Sequence, residues 1–201
     1  MLRLAALGVL QSEPLNGYRL MQQLEFFMSC CISVNSGAIY PLLKRMEEQG
    51  EVTLLPGAAA EASQAGKTYE ITPLGREHWR EMMLAHPQES WVNARSRFAI
   101  KIFFFSHLEP AERSQLIEYR LMQCRLRLAH RQSQPKQSDP YQAAVWQRSL
   151  DVIESEIQWL TQQLASESTA SGASAVSPLL GFSAETCLPA IDPLSRSPQV
   201  S

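Results

Sequence analysis

"SGAIYPLLKRMEEQGEV" (36–52) is a helix running almost directly into a strand. Ile39, Leu42, Leu43 and Met46 recur at helical spacing, Ser36 is a good N-cap candidate, and Gly50 stops the helix. The period then changes: Val52 and Leu54 alternate with Thr53, and further on Tyr69 and Ile71 alternate with Thr68 and Glu70. Two short strands therefore flank a Gly/Ala-rich connection from Pro56 to Gly66, a β-hairpin with a long tip.

Working outward, Thr72-Pro73 is an N-cap and N1 pair that opens a helix through Trp79 to about Leu84. Upstream, the run from Ser12 to Gly17 is dense in turn formers, and Leu20, Leu24, Phe27 and Met28 predict a helix over about 17–29. Residues 2–10 are almost wholly apolar, so the first helix must be covered on all sides. The order is helix, helix, helix, strand, strand, helix.

A second region is helical throughout. Phe98, Ile102 and Phe105 mark one helix, and Ile117, Leu121, Cys124 and Leu128 a second. Trp146, Leu150, Ile153, Ile157, Leu160 and Leu164 form a heptad stripe, a seam that packs within the subunit or against another chain. Beyond Ala165 the chain is rich in Ser, Ala and Pro with few charges, which predicts a disordered tail over 166–201. The fold class is mainly α with a small β-hairpin, divided as 1–86, 90–165 and the tail.

Composition narrows the chemistry. At 201 residues, 45% hydrophobic and 19% charged, the chain is globular and long enough for one domain or two small ones. No apolar run approaches the ~20 residues of a membrane span, and the start lacks a secretory cleavage pattern, so a cytoplasmic location is expected. Cys30, Cys31, Cys124 and Cys187 have no zinc spacing, and the adjacent Cys30 and Cys31 read as small hydrophobes ahead of a redox pair. Neither nucleophile nor phosphate-loop motifs occur, so no enzyme activity, metal or cofactor is expected.

Three segments, "LGVLQSEPLNGYRLMQQLE" (7–25), "SGAIYPLLKRMEEQGEV" (36–52) and "KTYEITPLGRE" (67–77), together resemble the winged helix-turn-helix domain of the PadR family of bacterial transcriptional regulators. The helical region 90–165 is similar to that family's C-terminal dimerisation domain. The resemblance implies a homodimeric repressor that binds double-stranded DNA. Its recognition helix would start near Ser36, with Ser36, Gly37, Ala38 and Tyr40 toward the base edges and Lys44 and Arg45 supplying charge farther along. Tyr18 would contact a phosphate or pack on the recognition helix, and Lys67 and Gln64 of the wing would meet the flanking backbone or stay solvated. Leu150, Ile153, Ile157, Leu160 and Leu164 would form the dimer seam.

Some family members bind phenolic or drug-like molecules between the two regions, which makes a small effector of unknown identity a further expected partner. Phe98, Phe103, Phe104 and Phe105 with Trp91 would line such a pocket or fill the core. Arg120, Arg125, Arg127 and Arg131 would pair with Glu154 and Glu156 across the dimer or form a solvated face. One departure stands out. Residues 1–86 carry seven Lys/Arg against nine Asp/Glu, where DNA-binding domains are usually basic, and the wing has Lys67 as its only cation. That acidity keeps a second reading open, a winged-helix protein-interaction adaptor without strong DNA binding.

Overall fold

The computed structural model describes residues 1–28, 34–55, 67–135 and 138–174. In chain order these form α1 (Leu2–Val9), β1 (Leu15–Asn16), α2 (Gly17–Met28), α3 (Ser36–Glu48), β2 (Val52–Leu54), β3 (Thr68–Ile71), α4 (Pro73–Leu84), α5 (Trp91–Phe103), α6 (Pro110–Gln132) and α7 (Pro140–Ser174). Cys30, Cys31, Gln64, Cys187 and the tip of the hairpin lie outside the described residues.

The first half is a three-helix core closed by a small sheet. Leu4, Ala5, Ala6 and Leu7 of α1 are fully buried, as an all-apolar helix requires. Leu20 and Leu24 of α2 and Ile39, Leu43 and Met46 of α3 meet them in one core with Val52, Tyr69 and Ile71 of the strands. β2 and β3 pair antiparallel with Val52 opposite Ile71 and Leu54 opposite Tyr69. The sheet has a third strand that alternation did not reveal. β1, inside the run read as a turn, pairs Leu15 with Tyr69 and Asn16 with Thr68. Two residues are too few to show a period, and the partner strand defines them.

Helix ends follow local chemistry, with one shift. Asn35, rather than Ser36, caps α3: its side-chain oxygen accepts from the Ala38 amide at 2.9 Å. Gly50, at φ +70°, takes the left-handed turn that leads from α3 into β2. Thr72 caps α4 as expected, accepting from the Gly75 amide, and its hydroxyl donates to the Gly50 carbonyl at 2.6 Å. Buried Glu51 accepts from Arg3 of α1 and sits 2.8 Å from His78 of α4, so one carboxylate joins α1, the wing base and α4.

In the second half α6 and α7 form the most extensive helix pair. They run antiparallel, since Arg113 bonds Glu167 at 2.8 Å and Arg120 bonds Glu156 at 2.8 Å. Ile153 and Leu160 of the heptad stripe are fully buried in this single chain, with Ile157 and Leu164 packed beside them and Leu150 half-buried. In the single chain the stripe therefore packs within the subunit, with Ile157 and Leu164 only partly covered. α7 continues to Ser174, past the boundary set at Ala165, because Ser and Ala cost a helix little when the preceding turns are already formed.

Candidate nucleic-acid interface

α3 has a buried face and an outward one. Ile39, Leu42, Leu43 and Met46 turn into the core, while Ser36, Gly37, Pro41, Lys44 and Arg45 are exposed and Ala38 is half-buried. Small side chains at 37 and 38 leave the leading end of the helix open to close approach. The helix start also carries the positive end of the backbone dipole, which favours a phosphate. Lys44 lies 3.8 Å from Glu48, and Arg45 donates to the Pro41 carbonyl at 3.3 Å. Both are loose surface contacts that an anion can displace.

Tyr40 is placed differently from its neighbours. Its ring lies against Gly17, where an added Cβ would come within 2.6 Å of the ring, and it packs on the core edge. Its ring thus seats α3 on the start of α2, and the adjacent Gly17-Tyr18 pair gains a physical meaning: position 17 must be glycine for this crossing. Replacing Tyr40, which the resemblance put toward the base edges, would therefore disturb the packing of α3 on α2. Tyr18 is about half exposed, and its hydroxyl accepts from Gln22 at 3.0 Å. Arg19 beside it is exposed as well, with its amide held by Asn16 at 2.8 Å. This cation was passed over in the sequence, where the only signal was its position after the Gly-Tyr pair. Lys67 sits half-buried at the base of the wing.

Two sequence regions match known families. Residues 6–81 match the transcriptional regulator PadR-like family, and residues 94–166 match the virulence activator alpha C-terminal family. Residues 6–81 are thus similar to the PadR-like family of transcriptional regulators. It shares 26% identity over 131 residues with the negative transcriptional regulator PadR of Bacillus subtilis, covering 64% of this chain and 69% of that protein. Bacillus subtilis PadR in complex with operator DNA is 24% identical, covering 83% of this chain and 98% of the other, at a TM-score of 0.40. PadR in complex with p-coumaric acid has the same identity, coverage and TM-score. The Vibrio cholerae virulence activator AphA is 23% identical over 85% of this chain and 99% of its own, at a TM-score of 0.36. Among the described residues no helix is long and apolar enough to cross a membrane, and no cluster of potential metal ligands occurs.

A cavity of about 690 Å³ lies between the segment that follows α4 (85–89), α5 and α6. Trp91, Phe98 and Tyr119 form its aromatic walls. Phe104 and Phe105, by contrast, are core, and Phe103 is exposed, so the aromatic cluster divides among three roles. Three of the four α6 arginines are engaged while Arg125 is exposed: Arg120 pairs with Glu156 inside the chain, Arg120 and Arg127 lie 4.2 and 4.6 Å over the Trp91 ring, and Arg131 lies over Trp146. Lys101 is almost fully buried on the cavity wall, and its Nζ donates to the Ala85 carbonyl at 2.6 Å. Burial, then the nearby Arg97, pulls its ammonium down to about 8. Glu89 is committed to Arg97 at 2.8 Å and is held below the usual carboxylate range by that hydrogen bond. The buried Cys124 thiol is pushed up to about 12 by burial, then by the Glu156 carboxylate, which keeps it unreactive.

Proposed function

We propose that the chain is a homodimeric repressor that inserts the leading end of α3 into successive major grooves of a pseudo-palindromic operator. The observation that carries this reading is the two-sided α3: one face closes the core while Ser36, Gly37, Lys44 and Arg45 stay open to solvent. Tyr18 and Arg19 extend the same reading surface from α2, and Lys67 with Gln64 would add the wing contacts. Repression follows the name of the Bacillus subtilis relative, a negative transcriptional regulator. Because the heptad stripe is used within the chain, the dimer face is better sought on α6, where exposed Tyr119, Met122 and Leu126 recur at helical spacing.

DNA from upstream of the gene is the direct test. A salt series of band shifts should show log affinity falling steeply with log salt, by ~0.9 per neutralised phosphate, with half-sites roughly 34 Å apart. A flat, weak response would favour the adaptor reading that the net acidity of residues 1–86 leaves open.

The cavity supports an effector role, with a planar anion as the fitting ligand. Its walls are aromatic, and Lys101, Arg120 and Arg127 stand around it. Tyr119 and Leu126 belong both to the cavity and to the α6 face, so a bound ligand can shift the geometry between two subunits. p-Coumaric acid, the ligand named for a PadR structure, is the first probe. Lys101 is charged below about 8 and loses its proton above it, so affinity for the carboxylate should be highest at neutral pH and decline as pH rises through about 8. Calorimetry across that window checks this, and Lys101→Met should remove the decline. An affinity equally flat in both proteins would dissociate Lys101 from the ligand.

A further inference from the structure

An aromatic row runs from the core to the surface at the end of α2. Phe104, edge-on to Trp79 at 6.3 Å, meets Phe103 at 5.0 Å; Phe103 meets Phe27 at 5.2 Å, and Phe27 meets Phe26 at 4.9 Å. The inner end is buried, but Phe103 is 45% exposed, Phe27 46% and Phe26 81%. Three phenyl rings in contact and open to water form an apolar patch of the kind that is normally covered.

The course of α7 indicates what covers it. Arg113, near the start of α6, bonds both Glu167 of α7 and the Leu108 carbonyl in the turn that follows α5. Glu167 is therefore level with that turn at Leu108, five residues along the chain from Phe103. From Glu167 to Ser174 the helix advances by roughly 10 Å beyond the level of Arg113. Residues 175–201 leave from there. Their first part, "AVSPLLGFSA" (175–184), contains no charge and carries Val176, Leu179, Leu180 and Phe182. At ~3.3 Å per extended residue, Leu180 reaches up to roughly 20 Å from Ser174.

We propose that residues 176–184 of this chain dock on the Phe26, Phe27 and Phe103 patch, with Leu179, Leu180 and Phe182 as the covering side chains. The contact brings the C-terminal segment to the end of α2, the helix that immediately precedes the recognition helix in the chain. A second copy is the rival occupant, but the patch already has an apolar, uncharged segment of its own chain within reach.

Site-specific photo-cross-linking of the full-length chain tests this. Phe26→p-benzoylphenylalanine changes the most exposed ring of the row, so the fold should tolerate it. Irradiation followed by peptide mapping should give a cross-link within 176–184. Adding Leu180→Ser and Phe182→Ser should lower its yield by about tenfold or more, as expected when two apolar side chains lose their burial. Cross-links confined to residues 1–174, of the same chain or of a second copy, would overturn the proposal. So would a yield that the serine substitutions leave unchanged. Circular dichroism should show the same helix content in both proteins, since the substituted tail positions lie beyond Ser174.

Discussion

Replacing both outward cations of α3, Lys44→Ala with Arg45→Ala, should weaken operator binding by at least about tenfold near physiological salt while leaving the melting temperature unchanged. Both side chains are exposed, and their present partners, Glu48 and the Pro41 carbonyl, are surface contacts whose loss changes stability by less than ~0.5 kcal/mol. The domain as a whole is acidic, so its affinity depends on the few cations that face the duplex. Each lost phosphate contact removes ~0.9 from the slope of log affinity against log salt; two per subunit in a dimer removes roughly 3.6. A reduced affinity with an unchanged slope would mean that the substitutions act through base contacts or through α3 itself. Unchanged affinity and slope would move the reading surface elsewhere.

Leu160→Asp should cost about 4 kcal/mol or more, enough to unfold the helical half. Leu160 is fully buried between α7 and α6, and an aspartate there leaves both a cavity and an unpaired charge. The expected readout is a lost cooperative transition and lowered helix content by circular dichroism. The contrast is Leu126→Asp on the outer face of α6, where the side chain is 61% exposed. That substitution should keep the melting temperature of a single chain and shift light scattering from dimer to monomer. Were Leu160→Asp to give a folded monomer instead, the α6–α7 packing of the single chain would have to be exchanged between subunits. An intact Leu126→Asp dimer would place the dimer face elsewhere.

The periodic elements were legible because their signals are local. Ile39, Leu42, Leu43 and Met46 declare the buried face of α3, and Thr72-Pro73 declares the start of α4, since both depend on residues within one or two turns. Asn35 was missed as the cap because Ser36 is an equally good candidate by residue type, and only the backbone angles distinguish them. β1 was missed because two residues carry no period. The residues proposed for the reading surface came from the resemblance to a family, and the structure adds only which of them are exposed. The packing of Tyr40 on Gly17, the exposure of Arg19 and the double stacking on Trp91 were not, because each joins residues on different elements.

The amino-acid order by itself determined which segments are helical, which are extended, and which face of each helix seeks a core, because propensity, capping and periodicity act over a few neighbouring residues. Only the tertiary structure decided where those faces went. The heptad stripe of α7 satisfies a partner helix equally well whether that helix belongs to the same chain or another, and burial against α6 chose the first. Likewise Lys101 is an ordinary lysine in the sequence, and it becomes a cavity group only because the segment after α4 closes over it and puts the Ala85 carbonyl in reach.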